Sequence, residues 1–393
     1  MTGPISYGRH YLDEDDIRSV VDVLRHGWLT QGPKVPEFEA AIAQRVGARY
    51  AVAVSNGTAA LHIACAAAGV GPGDTVITTP NTFVASANCA AYLGATPALA
   101  DIDPVTLNLD PGRLAQCCTR SNAVRAVIPV HFAGLPCDMP RIRDIANGQG
   151  ARVIEDAAHA LGAVYEDGSP VGNCRYSDMT TFSFHPVKMI TTGEGGLITT
   201  NDERLYRDLL RLRSHGINKL DDPLLNAANA HTGSEVNAWY YEMQELGFNY
   251  RLTDLQAALG TSQLQKLDRF LERRRALARR YDAAWRDHPV VHPTQAGTRD
   301  RSSLHLYVVR IAFDRIGLPR QEFMKRLRAK NIIAQVHYIP VHYHPYYAQR
   351  GMCAGDYPVA EQYYEEALSL PLYYGLTDEE QAFVIESVTE LAG

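Results

Sequence analysis

Lysine is scarce in this chain: six residues, against 32 arginines, so each can be judged by its place. Lys188 stands apart. It follows the run MTTFSFHP and precedes MITTGEGG, at the end of an apolar β-type segment and before a glycine-rich turn. A lysine in that setting loses water and its pKa falls, which suits its amine to Schiff-base chemistry. An amine snorkelling from a sheet edge would have the same neighbours. Lys34, Lys219, Lys266, Lys325 and Lys330 lie in loops or charged helical stretches and read as solvent-facing.

Three other features gain meaning beside Lys188. Ser55-Asn56-Gly57-Thr58 joins an apolar run to the helical segment TAALHIACAAAG, and backbone N–H groups at such a helix start can cradle a phosphate. The same residues are also ordinary helix caps. Asp156 ends the run ARVIED, where its carboxylate could reach a ring nitrogen or simply cap a loop. Phe83, in TTPNTFVASAN, could stack on an aromatic ring or fill a core. Taken together they form the set that pyridoxal 5'-phosphate requires. Its aldehyde needs a lysine, its pyridine nitrogen a carboxylate, and its phosphate N–H and hydroxyl donors.

The elements that must position these residues are legible as a pattern. Short apolar runs at Tyr50–Ser55, Thr75–Thr79, Thr96–Ala100, Ala123–Val130, Ala151–Ile154, Met179–Phe184 and Gly196–Thr200 alternate with amphipathic stretches such as Thr58–Ala68. Runs of that length and β-branched content suit strands buried on both faces. Alternating strand and helix predicts a three-layer α/β domain whose ligands sit beyond the carboxyl ends of the strands. From Leu252 the character changes. Thr253 and Asp254 cap a long predicted helix, LQAALGTSQLQKLDRFLERRRALARRYDAAW, whose arginines 273, 274, 275, 279 and 280 read as a solvated or inter-subunit face. Strands at Leu306–Ile311 and Ile332–Ile339, with a helix near Arg320–Ala329, suggest a smaller α+β domain. Leu220–Trp239 shows no period and reads as a long loop.

The motifs SNGTAAL, EDAAHALGA, FSFHPVKMITTGEGG and GFNYRLTDLQAALG resemble the signatures of the DegT-type sugar aminotransferases, fold-type I pyridoxal-phosphate enzymes acting on nucleotide-linked keto-sugars. The resemblance runs from about Tyr7 to near the C-terminus, with the motifs in family order. It implies an αβα large domain over residues 1–250, with a mixed, mostly parallel sheet, and a smaller α+β domain over 251–393. WYYEMQELGFNYRLTDLQ and QVHYIPVHYHPYY look most like the branch serving pseudaminic acid biosynthesis. That branch implies transfer of an amino group from L-glutamate to C4 of a UDP-linked 4-keto-6-deoxy-N-acetylhexosamine. The product would be UDP-4-amino-4,6-dideoxy-N-acetyl-β-L-altrosamine. Other nucleotide-sugar 3- or 4-aminotransferases, acting for instance on a dTDP-keto-hexose, share the motifs. The dehydratase branch has histidine in place of the lysine, against Lys188, and a non-enzymatic regulator would have little reason to keep Lys188 with Asp156.

By position, the resemblance implies that Lys188 binds the cofactor aldehyde and carries the proton, and that Asp156 pairs with the pyridinium nitrogen. Phe83 would stack on the ring, and His159 would lie near the phenolic oxygen, where many relatives have glutamine. Gly57, Thr58 and Ser183 would hold the phosphate. Asn249 would reach it from the partner subunit, making a homodimer with shared sites. Tyr7, Gly27-Trp28-Leu29-Thr30, Gln335, Val336, His337 and Tyr338 match places that contact the sugar nucleotide, with Gly57, Ser183 and Asn249 contributing.

Composition sets the remaining bounds. A net charge of −6 gives no basic face for nucleic acid. No run approaches the roughly 18 apolar residues of a membrane span, and MTGPISYGRHYLDEDD has no signal-peptide pattern. Seven scattered cysteines without a CxxC pair favour free thiols in a reducing cytoplasm. His337, His342 and His344 could be metal ligands, with 342 and 344 on one strand face, but Pro340 and Pro345 break regular geometry. A substrate-loop or packing role is the expectation, with no metal.

Overall fold

The structure, a computed structural model, describes residues 3–218 and 223–393. After a two-residue strand β1 (Ile5–Ser6) come helices α1 (Glu14–His26) and α2 (Lys34–Val46). Seven strands then build the central sheet: β2 (Tyr50–Val54), β3 (Thr75–Thr78), β4 (Thr96–Leu99), β5 (Val124–Val127), β6 (Arg152–Asp156), β7 (Met179–Ser183) and β8 (Gly196–Thr200). Their spatial order is β2-β8-β7-β6-β5-β3-β4. β7, β6, β5, β3 and β4 run parallel, while β8 is antiparallel to both its neighbours. The sheet is mixed and mostly parallel, as the resemblance implies.

Helices α3 (Gly57–Ala67), α4 (Ala85–Tyr92), α5 (Pro111–Arg120), α6 (Met139–Gly148) and α7 (Glu203–Arg213) fill the crossovers. Alternation along each strand splits the core in two. Ala53, Val153, Phe182 and Leu197 face one layer with Phe38 and Ile42, whereas Val54, Ile154 and Ile198 face the other with Ile63 and Leu209. Burying one such large side chain contributes about 1.5–3 kcal/mol, so both layers stabilise the sheet.

The expected single helix after Thr253 is two. Asp254–Leu264 starts on a Thr253–Gln256 capping box and packs on α1 and α2, and Leu267–Ala284 follows a break at Gln265 and Lys266. Lys266 corrects its solvent-facing reading: it is 7% exposed and pairs with Asp13 and, at 2.7 Å, Asp16. Arg274 is likewise buried rather than part of a solvated face. The C-terminal part carries an antiparallel sheet, Val291–Pro293, Tyr307–Ile311 and Ala367–Leu370, over a core centred on Tyr281 and Trp285. The helix Arg320–Ala329 is present, but the expected strand over Ile332–Ile339 is only Ile332–Ile333, paired in parallel with β1.

The segment read as a long loop contains a short helix, Ala227–Ala230, and a small hairpin, His231–Thr232 with Glu235–Val236. Lys219 and the start of that segment lie outside the described residues. Among the described residues, no helix is long and apolar enough to cross a membrane.

Candidate active site

Because β2, β6 and β7 run in the same direction, their carboxyl ends meet at one edge, and a cavity of about 940 Å³ opens there. α3 begins directly after β2 at this edge. Asn56 caps it by accepting from the Ala59 N–H at 2.8 Å. The amides of Gly57 and Thr58, the first two of the helix, have no intrahelical acceptor and line the cavity. Glycine is required here: a Cβ on Gly57 would stand 2.9 Å from Ser183 Cβ. Ser183, the last residue of β7, faces the same space.

Asp156 ends β6, 6% exposed, and accepts from Ser86 Oγ at 2.7 Å and from the Ala158 N–H at 3.1 Å. Lys188 lies five residues beyond Ser183, in a turn where its own N–H donates to the His185 carbonyl at 2.9 Å. Its side chain opens onto the cavity yet is closely surrounded by protein. Burial pushes its pKa down to about 8, partly opposed by the negative charge of Asp156. An amine in that range is neutral often enough to act as a nucleophile or base near physiological pH.

A group of imidazoles and a phenol closes the cavity beside Lys188. His159 Nε2 is 2.9 Å from the Tyr338 hydroxyl, while its Nδ1 is buried without a partner. Burial, and next the charge of Lys188, hold His159 well below the ordinary histidine pKa. His337 shares its Nδ1 with Ser369 Oγ at 2.8 Å, and burial takes it down to about 3. Tyr7 arrives through β1, whose pairing with Ile332–Ile333 sets the Tyr7 ring 5.1 Å from that of His337.

Gln335, Val336, His337, Tyr338 and Tyr7 thus line the same cavity as Lys188, together with Phe83, which is 59% exposed. The remaining expected site residues lie elsewhere in this chain. Gly27, Trp28, Leu29 and Thr30 are exposed beyond α1, Thr30 bridging to Thr253. Asn249 is exposed, bridges to Ser214 and does not line the cavity.

His342 and His344 do not share a strand face, because Val341–Tyr343 is a 3₁₀ turn. His342 pairs with Glu361 at 2.9 Å. Two participants were missed from sequence: Ser86, which meets Asp156 from another crossover, and His305, which lines the cavity just before a strand.

Pyridoxal phosphate fits this donor set. The glycine-dependent cradle and Ser183 suit its phosphate, a buried carboxylate its ring nitrogen, and a desolvated lysine its aldehyde. The unpartnered Nδ1 of His159 is a further polar atom awaiting a ligand. The sequence matches the DegT/DnrJ/EryC1/StrS aminotransferase family over residues 10–389. It is 41% identical over 389 residues to the spore coat polysaccharide biosynthesis protein SpsC of Bacillus subtilis, covering 98% of this chain and 97% of that protein.

The fold superposes with a TM-score of 0.88 on Helicobacter pylori PseC, an aminotransferase involved in the biosynthesis of pseudaminic acid, at 29% identity over 99% of both chains. It superposes at 0.87 on the PLP form of Spr1654 from Streptococcus pneumoniae, at 30% identity over 99% of this chain and 98% of that one. Likeness along nearly the whole length, around a lysine so placed, means that the chain belongs to the DegT/DnrJ/EryC1/StrS aminotransferase family and is a pyridoxal-phosphate-dependent sugar aminotransferase.

Proposed function

We propose that this enzyme moves an amino group from L-glutamate to C4 of a UDP-linked 4-keto-6-deoxy-N-acetylhexosamine, giving UDP-4-amino-4,6-dideoxy-N-acetyl-β-L-altrosamine. The observation that carries the chemistry is Lys188 sharing one cavity with Asp156, the pKa of its amine pushed down to about 8 by burial. The likeness to PseC supports the choice of sugar. Bound pyridoxal phosphate supplies an electrophilic carbon and an electron sink.

The chain's residues do the rest. Gly57 and Thr58 amides with the Ser183 hydroxyl hold the phosphate. Asp156 holds the proton on the ring nitrogen, so that the sink stays strong. Phe83 covers the ring face, and His159 with Tyr338 faces the phenolic oxygen. Lys188 Nζ takes the proton from Cα of glutamate in the first half-reaction and delivers one to the sugar C4 in the second.

Tyr7 and the stretch Gln335–Tyr338 hold the sugar nucleotide. The exposed positions of Gly27–Thr30 and of Asn249 support a homodimer in which those residues complete the partner's cavity. The partner subunit's Asn249 would then reach the phosphate. A second reading, another nucleotide-linked 3- or 4-keto-sugar, is favoured by the 41% identity to SpsC, whose name places it in polysaccharide synthesis.

Incubation with glutamate and a panel of UDP- and dTDP-linked 3- and 4-keto sugars, with the product's structure solved by NMR, separates the two. A new amine at C4 of the UDP-linked N-acetylhexosamine is expected. Transfer only to dTDP-sugars, or only at C3, refutes the assignment.

A further inference from the structure

The segment Ser302–Leu306 is held against the cavity wall more firmly than a connecting loop requires. The Ser303 hydroxyl donates to the His159 carbonyl, the Ser303 N–H to Gly134 O at 3.1 Å, and the His305 N–H to Ala133 O at 3.0 Å. The fit is tight. A Cβ on Gly134, whose φ is +100°, would lie 2.2 Å from Ser303 Oγ and 3.0 Å from Leu304 N, and Leu304 itself has a φ of +56°.

Behind the segment, Arg274 donates from one guanidinium nitrogen to the carbonyls of Leu304 at 3.2 Å, His305 at 3.3 Å and Leu372 at 2.8 Å. Arg274 is 3% exposed, and each of these three bonds goes to a main-chain carbonyl. A buried guanidinium used only on main-chain carbonyls acts as a clamp on the backbone that it grips.

What the clamp presents is the ring of His305. It lines the cavity, its Nδ1 is buried without a partner, and its centroid is 4.3 Å from that of His159, at an interplanar angle of 38°. Tyr338 meets His159 from elsewhere, through the hydroxyl at Nε2. His159 is therefore held at its face by one ring and at one nitrogen by a phenol.

From this geometry we infer that His305 is a positioning residue, which fixes the plane of the His159 ring toward the cofactor and is itself set by the Arg274 clamp. The inference rests on the placement of His159 beside the cofactor's phenolic oxygen. The charged and titratable groups facing His305 are His159, Lys188, Arg274 and His337. Burial first, then those neighbours, keeps the His305 ring neutral, so the pair packs without charge repulsion.

The test compares His305→Ala, His305→Phe, His159→Ala and the double variant His159→Ala/His305→Ala as holoenzymes. Absorbance spectra of the bound cofactor across pH are recorded beside kcat and KM. His305→Ala is expected to shift the cofactor's spectral titration and lower kcat about three- to tenfold, the worth of one lost ring pair, with KM for glutamate unchanged. His305→Phe, which keeps a ring on the same clamp, should recover most of that loss. Added to His159→Ala, the His305→Ala change should have less than about a twofold further effect, as coupled residues do.

An unmoved spectrum in His305→Ala while His159→Ala moves it would overturn the inference and leave the site reading standing. An unmoved spectrum in His159→Ala would overturn both. Should His305→Ala not fold, His305→Phe decides with His305→Asn: equal spectra and turnover in these two, one with a six-membered ring and one with none, refute positioning through the ring.

Discussion

Replacing Asp156 with asparagine should separate charge from shape at the cofactor's ring nitrogen. The side chain is 6% exposed and held by Ser86 Oγ at 2.7 Å and the Ala158 N–H at 3.1 Å. Asparagine has the same outline. Its oxygen can keep the Ala158 bond, and its amide can donate to Ser86 Oγ, which is free to turn its own proton toward Thr82 Oγ1, 2.8 Å away. No donor is left facing another, so the fold is expected to survive with a melting temperature near that of the wild type. The loss is the charge. Removing one partner of a buried pair costs about 3–5 kcal/mol, which at about 1.36 kcal/mol per tenfold means turnover lower by on the order of 10² to 10⁴. A second readout has a fixed sign. The Asp156 carboxylate raises the pKa of Lys188, so without it that pKa falls below about 8. Steady-state turnover with glutamate and a keto-sugar measures the first effect, and the pH dependence of cofactor capture by apo-protein the second. Turnover within about threefold of wild type in a well-folded variant, less than about 0.7 kcal/mol, would refute the role given to Asp156.

Cofactor loading should depend on pH through Lys188 itself: only the neutral amine attacks an aldehyde, so the capture rate should rise with pH through about 8 and level off, while a profile centred near 10.5 would contradict burial of the amine. The same group makes apo-protein stability rise with pH between about 8 and 10.5, because there the unfolded chain binds the extra proton; thermal melts across that range check the sign. Gly57→Ala would push a Cβ to 2.9 Å from Ser183 Cβ. Overpacking of that kind costs about 1–3 kcal/mol, so Kd for pyridoxal phosphate should rise about 5- to 150-fold by fluorescence titration. Lys188→Ala mixed with Asn249→Ala should regain activity in differently tagged heterodimers, since one site then receives Lys188 from one subunit and Asn249 from the other; heterodimers no more active than their parents would place Asn249 at its own chain's cavity.

The central strands were legible because burial on both faces of all but the edge strand β4 leaves apolar runs, and each run ends within a few residues of the strand observed. What escaped the sequence depends on contacts far along the chain. Lys266 reads as one more charge on a helix, yet Asp13 and Asp16, some 250 residues earlier, bury it as an ion pair at the point where the helix breaks. Arg274 sits in an arginine-rich run, and only the carbonyls of Leu304, His305 and Leu372 distinguish it from its neighbours. The apolar stretch after Ile332 looks like a strand, but beyond Ile333 it pairs at Gln335 with Ser369 and lines the cavity from Gln335 to Ile339, which local propensity cannot foresee. That Lys188, Asp156 and Gly57 share one cavity was legible because strand ends in a parallel sheet converge. Ser86 and His305 were not, since nothing local marks a serine or a histidine as facing that convergence.

Two adjacent acids show how far the sheet itself assigns chemistry. Glu155 and Asp156 are consecutive in β6, so their side chains leave on opposite faces. Glu155 is fully buried, 2.7 Å from His131 Nε2, and accepts from Tyr165 at 2.6 Å and Thr180 at 3.0 Å, with Ser177 beside them. Burial alone would raise its pKa, and the His131, Ser177 and Tyr165 hydrogen bonds overcome that and hold it low. Its oxygens are occupied, and it braces β6 from below. Asp156 has two donors and an open side toward the cavity. A one-residue slip of β6 would exchange these positions, turning Asp156 to the face that Glu155 occupies and Glu155 toward the cavity. The slip would break the hydrogen bonds of Glu155 to His131, Tyr165 and Thr180 and leave its carboxylate without them. The place of Asp156 at the cavity is thus enforced by the bracing of its neighbour Glu155 on the opposite face.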